Sequence, residues 1–208
     1  MLRILFLLTL LFTLSIPINA TATMIGYADV VLDYYDSGAG PLSGPYGGTF
    51  PGSFPVSVTT DVVLGDDPAT ADFLSLPTGS YVTVGFTDET VIDGVGNDIF
   101  IREVGANGET AEVFVSANLV DFFSIGIAHD SITTSFDLAD IGFTDAVQAI
   151  KIVGLDNFGG SPGFDIVNIQ VLPGSIGAAP QSVPEPMSIL LLSLGLAGLS
   201  FSRRDKKM

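Results

Sequence analysis

From Tyr81 onward the chain falls into short runs in which apolar and polar residues alternate with a period of two. That is the repeat of a strand with one buried face. Six runs carry the pattern: Tyr81–Phe86, Asp98–Glu103, Ala111–Ser116, Phe122–Ile127, Val147–Val153 and Phe164–Val171. Each is rich in β-branched and aromatic residues and is bounded by Gly, Asp, Asn or Pro, which predicts strands separated by turns. In the last run the alternation places Ile166, Asn168 and Gln170 on one face and Asp165, Val167, Ile169 and Val171 on the other. Arg102 and Glu103 are neighbours on one strand, so they point to opposite faces. A short helix fits 68–75 or 137–141, and no window carries a long helical period. The expected fold is all-β, an antiparallel β-sandwich or jelly roll over residues 23–172.

The two ends break the pattern. Residues 1–22 hold a basic start, an apolar run from Ile4 to Ile16 and then small residues around Ala20-Thr21-Ala22. This is the layout of a signal peptide cut after Ala20 or Ala22; an uncleaved anchor helix is the alternative. At the other end a small, polar stretch over 173–182 reads as a linker. Then come Pro184-Glu185-Pro186, an apolar segment over 187–202, and a basic terminus opened by Arg203-Arg204. The prolines stop a helix from extending backwards. The apolar segment predicts a transmembrane helix that holds the chain outside the membrane by its C-terminus, with the basic end kept cytoplasmic. An ordinary tail anchor is the alternative.

Pro184-Glu185-Pro186, the apolar stretch and Arg203-Arg204 in that order resemble a PEP-CTERM sorting signal, over 183–208. The resemblance implies export in a Gram-negative bacterium. Signal peptidase and an exosortase would process the chain, membrane contact through 187–202 would be transient, and delivery would be to the cell surface or an extracellular biofilm matrix rich in exopolysaccharide. The strings from Tyr27 to Val171 resemble the β-sandwich module of PEP-CTERM cell-surface proteins. The latter half is also similar to the closing strands of galactose-binding-like sandwiches, and that likeness implies a fold more than a function.

Charge sharpens the reading. The 208 residues carry 7 Lys plus Arg against 23 Asp plus Glu, a net charge of −16. Between residues 23 and 183 the only basic residues are Arg102 and Lys151. All the acids except Glu185 and Asp205 lie in that stretch. Such a domain repels nucleic acid and attracts divalent cations, although acidity also serves solubility alone. With no Cys and one His, the chain has no disulfides, no Cys-based zinc sites and no multi-His metal sites.

Two acidic, glycine-containing turns offer oxygen ligands of the kind Ca²⁺ takes: Asp93 to Asp98, with Asn97 between them, and Asp156 to Asp165. Asp93, Asn97, Asp98, Asp156 and Asp165 are the candidate ligands, and an Asx turn capped by its own side chain is the plainer reading. A β-roll needs repeated nonapeptides and only one near-copy is present. The EF-hand and dinucleotide patterns fail outright. Ser37–Pro55 is long, with ten Gly or Pro in nineteen residues, and its Tyr46, Phe50 and Phe54 are candidate contact aromatics, folding back onto the sandwich edge being the plainer reading. Ser124, His129, Asp130 and Ser131 are close in sequence, but His129-Asp130 reads better as a hairpin turn than as part of a triad. Glu103, Glu109 and Glu112 sit on or beside strands without singling out a catalytic pair. The expectation is a non-enzymatic exported protein with no catalytic residues, structural or adhesive in the matrix; a carbohydrate-binding module and a secreted hydrolase are the alternatives.

Overall fold

A run that alternates at period two buries one row of side chains only if a second layer covers it. The computed structural model of the protein describes residues 26–65, 71–130 and 134–178. In chain order its strands are β1 (Val30–Tyr35), β2 (Tyr46–Phe50), β3 (Val56–Ser57), β4 (Ala71–Leu76), β5 (Tyr81–Gly85), β6 (Thr90–Val91), β7 (Ile99–Glu103), β8 (Thr110–Ser116), β9 (Phe123–His129), β10 (Thr134–Phe136), β11 (Ala149–Gly154), β12 (Phe164–Val171) and β13 (Ile176–Gly177). One sheet runs β1-β5-β11-β8-β9 and the other β10-β7-β12-β4-β2-β3, while β6 and β13 form a two-stranded ribbon. All pairings are antiparallel.

The covering layer is the other sheet. Val82, Val84, Val113, Val115, Ile150 and Ile152 from the five-stranded sheet meet Leu74, Leu76, Ile99, Ile101, Ile166 and Ile169 from the six-stranded one in a single buried cluster. Each of these side chains contributes about 1.5–3 kcal/mol by leaving water. All six predicted strands are present, and the architecture is the expected antiparallel β-sandwich.

Three details depart from the sequence reading, and one helical window is borne out. Alternation in β12 is broken by a bulge between Ile166 and Asn168. The extra residue restores the apolar row, so Ile166 faces the core together with Ile169 and Val171. Ala71–Leu76, in the window that fitted a helix, is instead β4, held between β12 and β2; tertiary pairing overrides weak local preference. The other helical window does hold a short helix, the 3-10 helix Leu138–Ile141 capped by Asp137. His129 does not open a hairpin: β9 pairs in the five-stranded sheet, whereas β10 pairs with β7 in the other.

The start of the expected linker also folds back. Residues 173–175 make a 3-10 turn and β13 pairs with β6. The segments assigned to signal peptide and sorting signal, with Ala20, Ala22, Pro184, Glu185, Pro186, Arg203 and Arg204, lie outside the described residues. Among the described residues no helix is long and apolar enough to cross a membrane.

Candidate functional site: an aromatic cleft above three carboxylates

The glycine- and proline-rich loop does not stand free. Its chain doubles back over the outer face of the six-stranded sheet, where Phe73 and Ser75 alternate with the core residues Leu74 and Leu76. Tyr46 takes the fold-back alternative: it is fully buried and its hydroxyl donates to the Pro162 carbonyl. It therefore ties the loop to the acidic turn over 156–165. Phe54 packs edge-on to Phe73 with ring centroids 5.7 Å apart, and Phe50 lies 6.4 Å from Phe54. Gly160 passes so close to Phe54 that a Cβ there would sit 2.9 Å from its ring.

Between loop and turn lies a cleft of about 200 Å³, walled by Phe50, Phe54, Phe73, Asn107, Asp165 and the chain over 104–106. Phe50 is 49% exposed and Phe54 38%, so both present ring surface to solvent.

Beneath the 104–107 wall, Glu103 at the end of β7, Glu109 just before β8 and Asp165 in β12 bring carboxylate oxygens within 4.8 Å of one another. Asp165 Oδ1 accepts from the Ser75 hydroxyl at 2.5 Å, and the Ser75 and Ser161 hydroxyls are 2.7 Å apart. Glu109 is completely buried, and neither of its carboxylate oxygens is met by a well-formed hydrogen bond, the Asn107 amide being the donor close to it. Burial pushes the Glu109 carboxyl up to about 8; Glu103, Asp130 and Asp156 add to the rise, and the Asn107 amide offsets it only in part. Burial likewise pushes Asp165 up to about 9, opposed by the Ser75 hydroxyl and reinforced by Glu109 and Glu103.

Of the candidate metal ligands read from sequence, Asp165 joins this cluster. Asp156 lies apart, accepting from the Thr110 amide at 2.7 Å and the Thr110 hydroxyl at 2.8 Å, which holds the turn against β8. Asp93 and Asp98 approach each other together with Asp137. Asp98, however, is fully buried with its carboxylate occupied: Oδ1 accepts from Gly94 N–H at 2.8 Å and Ser175 Oγ at 2.5 Å, and Oδ2 from Leu138 N–H at 2.7 Å. It works as a knot between three segments. Asn97 donates its side-chain amide to Ser135 Oγ at 2.6 Å, away from the Asp98 carboxylate.

The residues weighed as a triad also have separate tasks. Ser124 donates to Glu112 at 2.8 Å, and the Asp130 carboxylate accepts from Gly108 N–H at 2.5 Å. Glu103 and Glu109 went unrecognised as partners. They flank the 104–108 crossing from one sheet to the other, and only that crossing folds them together.

A second depression lies on the opposite face of the sandwich, outside the five-stranded sheet. Thr83 and Lys151 alternate there with core residues and line a space of about 270 Å³ with Asp33 and Phe122. Lys151 Nζ stands 3.8 Å from the Tyr81 ring centroid, and Tyr81 stacks on the half-exposed Tyr35.

Three solved structures are similar to part of this chain. A CBM32 domain of AlyQ in complex with 4,5-unsaturated mannuronic acid matches at 13% identity and a TM-score of 0.37, covering 49% of this chain and 78% of that one. The C-terminal domain of a chitobiase from Bacteroides fragilis matches at 15% identity and a TM-score of 0.33, covering 48% and 66%. Truncated AlyQ with CBM32 and alginate lyase domains matches at 13% identity and a TM-score of 0.35, covering 54% and 28%. No curated protein sequence matches the chain. Residues 182–204 match the PEP-CTERM protein-sorting motif, and the chain is therefore an exported protein that carries an exosortase sorting signal at its C-terminal end.

Proposed function

We propose that the β-sandwich is a non-catalytic adhesive module of the cell surface or extracellular matrix, and that it holds a neutral saccharide chain in the Phe50–Phe54 cleft. The observation that carries this reading is the pair of half-exposed rings at the cleft mouth, with Asn107 and Asp165 beside them. A sugar ring presents an apolar face to an aromatic side chain and hydroxyls to a few polar groups, and small-molecule sites are built from that mixture. The cleft is smaller than the ~300–1,000 Å³ usual for an enclosed ligand. That size suits a short stretch of polymer laid across the surface. The heavy excess of acid over base in the domain disfavours an anionic polymer.

A non-catalytic role is supported by the placing of the carboxylates. Asp165 lines the cleft, while Glu109 is sealed beneath it, so the cleft does not offer substrate the two accessible carboxylates that glycoside cleavage uses. The test is binding of the full-length protein to an array of neutral glycans. Phe50→Ala and Phe54→Ala should each weaken binding about tenfold, while Tyr35→Ala on the opposite face should leave it unchanged. Loss of binding only in the Tyr35 variant would move the site to the five-stranded sheet. Release of new reducing ends from a bound glycan would make the protein a hydrolase.

A further inference from the structure

We propose that Glu103, Glu109 and Asp165 hold a Ca²⁺ ion beneath the 104–107 chain, on the inner side of the aromatic cleft. Three acids in proximity are not a site in themselves; the state of Glu109 is what points to a ligand. Its side chain is fully buried and aimed into the cluster, neither oxygen is met by a well-formed hydrogen bond, and the one donor close to it is the neutral Asn107 amide. A buried acid in that condition keeps its proton, and it ionises near neutral pH only if a positive charge meets it.

Among the described residues no basic side chain is placed to do so. The charged groups acting on Glu109 are Glu103, Asp130 and Asp156, all acidic. Arg102 is opposite Asn168 in the ladder and points to the other face from Glu103, and Lys151 belongs to the other sheet. A hard divalent cation supplies what the protein lacks, because it is bound by carboxylate oxygens and completes its shell of six to eight with hydroxyls, carbonyls and water.

The backbone around the cluster is shaped for this. Gly105 lies so near that a Cβ would stand 2.5 Å from Glu103 Oε1 and 2.8 Å from Glu109 Oε2. On another side, a Cβ on Gly159 would stand 1.8 Å from Glu109 Oε1. Two glycines thus let the chain close over the carboxylates from the 104–107 wall and from the acidic turn. The Ser75 and Ser161 hydroxyls next to Asp165 are additional oxygen donors already in place. Calcium bound here would pin the β7–β8 crossing to the head of β12 and so stiffen both walls of the cleft.

The experiment uses the full chain purified in detergent, stripped with EDTA and titrated with Ca²⁺ alone. Bound calcium is read by elemental analysis and stability by thermal melting. One Ca²⁺ per chain is expected, with a rise in melting temperature of several degrees that saturates in the ~10⁻⁴–10⁻³ M range of extracellular sites. Glu109→Gln should abolish both the bound ion and the rise, while melting in EDTA near neutral pH at or above the parent temperature, since the amide cannot ionise in the unfolded chain as the buried acid does. Asp165→Asn, which keeps an acceptor for Ser75, should lower the stoichiometry and serves if the first variant does not fold. Asp93→Ala should retain the full response. The proposal is overturned by a parent protein indifferent to Ca²⁺, by a rise that survives in Glu109→Gln, or by one lost in Asp93→Ala. None of these readouts depends on glycan binding, so the two readings fail separately.

Discussion

Glu89 shows how one buried acid records its surroundings. It is 1% exposed and accepts from Gly26 N–H at 2.7 Å. Burial, followed by the neighbouring Asp88, pushes its carboxyl up to about 7 in spite of that bond. The folded chain therefore keeps a proton that the unfolded chain gives up near pH 4–5. Stability from this group is fully present below that range and is lost as pH rises towards 7. Melting curves recorded from pH 5 to 7 should fall in the parent, and fall less in Glu89→Gln, which keeps an acceptor for Gly26. Between pH 7 and 9 the raised Glu109 and Asp165 give the same sign in EDTA-treated protein. The position of Glu89 in the core was not legible from its neighbours Asp88 and Thr90, because the partner that receives it, Gly26, lies 63 residues away.

At the scale of elements, two glycines decide how closely the chain can pack on the end of β4. Gly154 closes β11 with a would-be Cβ 2.0 Å from the Leu76 carbonyl oxygen. Gly163, at φ +112°, leads into β12 with a would-be Cβ 2.4 Å from the same carbonyl. Gly96 is also left-handed, at φ +83°, but has nothing within 4 Å. Gly163→Ala should therefore cost about 3 kcal/mol or more in chemical denaturation, combining backbone strain with a backbone clash, whereas Gly96→Ala should cost about 1 kcal/mol from strain alone. Equal losses would mean that packing at Leu76 is looser than the structure has it. Both glycines stand in turn-forming sequence and look alike there. What separates them is the strand end that one of them meets.

For the whole molecule, the partition of charge is the leading fact. Basic residues gather at the termini, and the domain between them is almost wholly acidic. The sorting motif covers 182–204, and the last strand among the described residues, β13, ends at Gly177. Little chain therefore separates the domain from the segment that would be cut. Mass spectrometry of protein recovered from outside the cell should find the 187–208 tail missing. Replacing Pro184, Glu185 and Pro186 together by alanine should leave the tail attached and the protein in the membrane fraction. An intact tail on released parent protein would contradict exosortase cleavage at this motif.

Local periodicity was enough to place six strands, because a strand with one buried face needs a neighbour-by-neighbour alternation that survives whatever covers it. The sorting signal and the acid excess were equally plain, since both are properties of composition along the chain. Strand partners, the bulge that rotates Ile169 and Val171 into the core, and the burial of Tyr46 against Pro162 required the folded molecule. So did the meeting of Glu103, Glu109 and Asp165, with Ser75 reaching Asp165 across 90 residues. Contacts of that span are set by how two sheets close on each other, and no short window of residues carries the information.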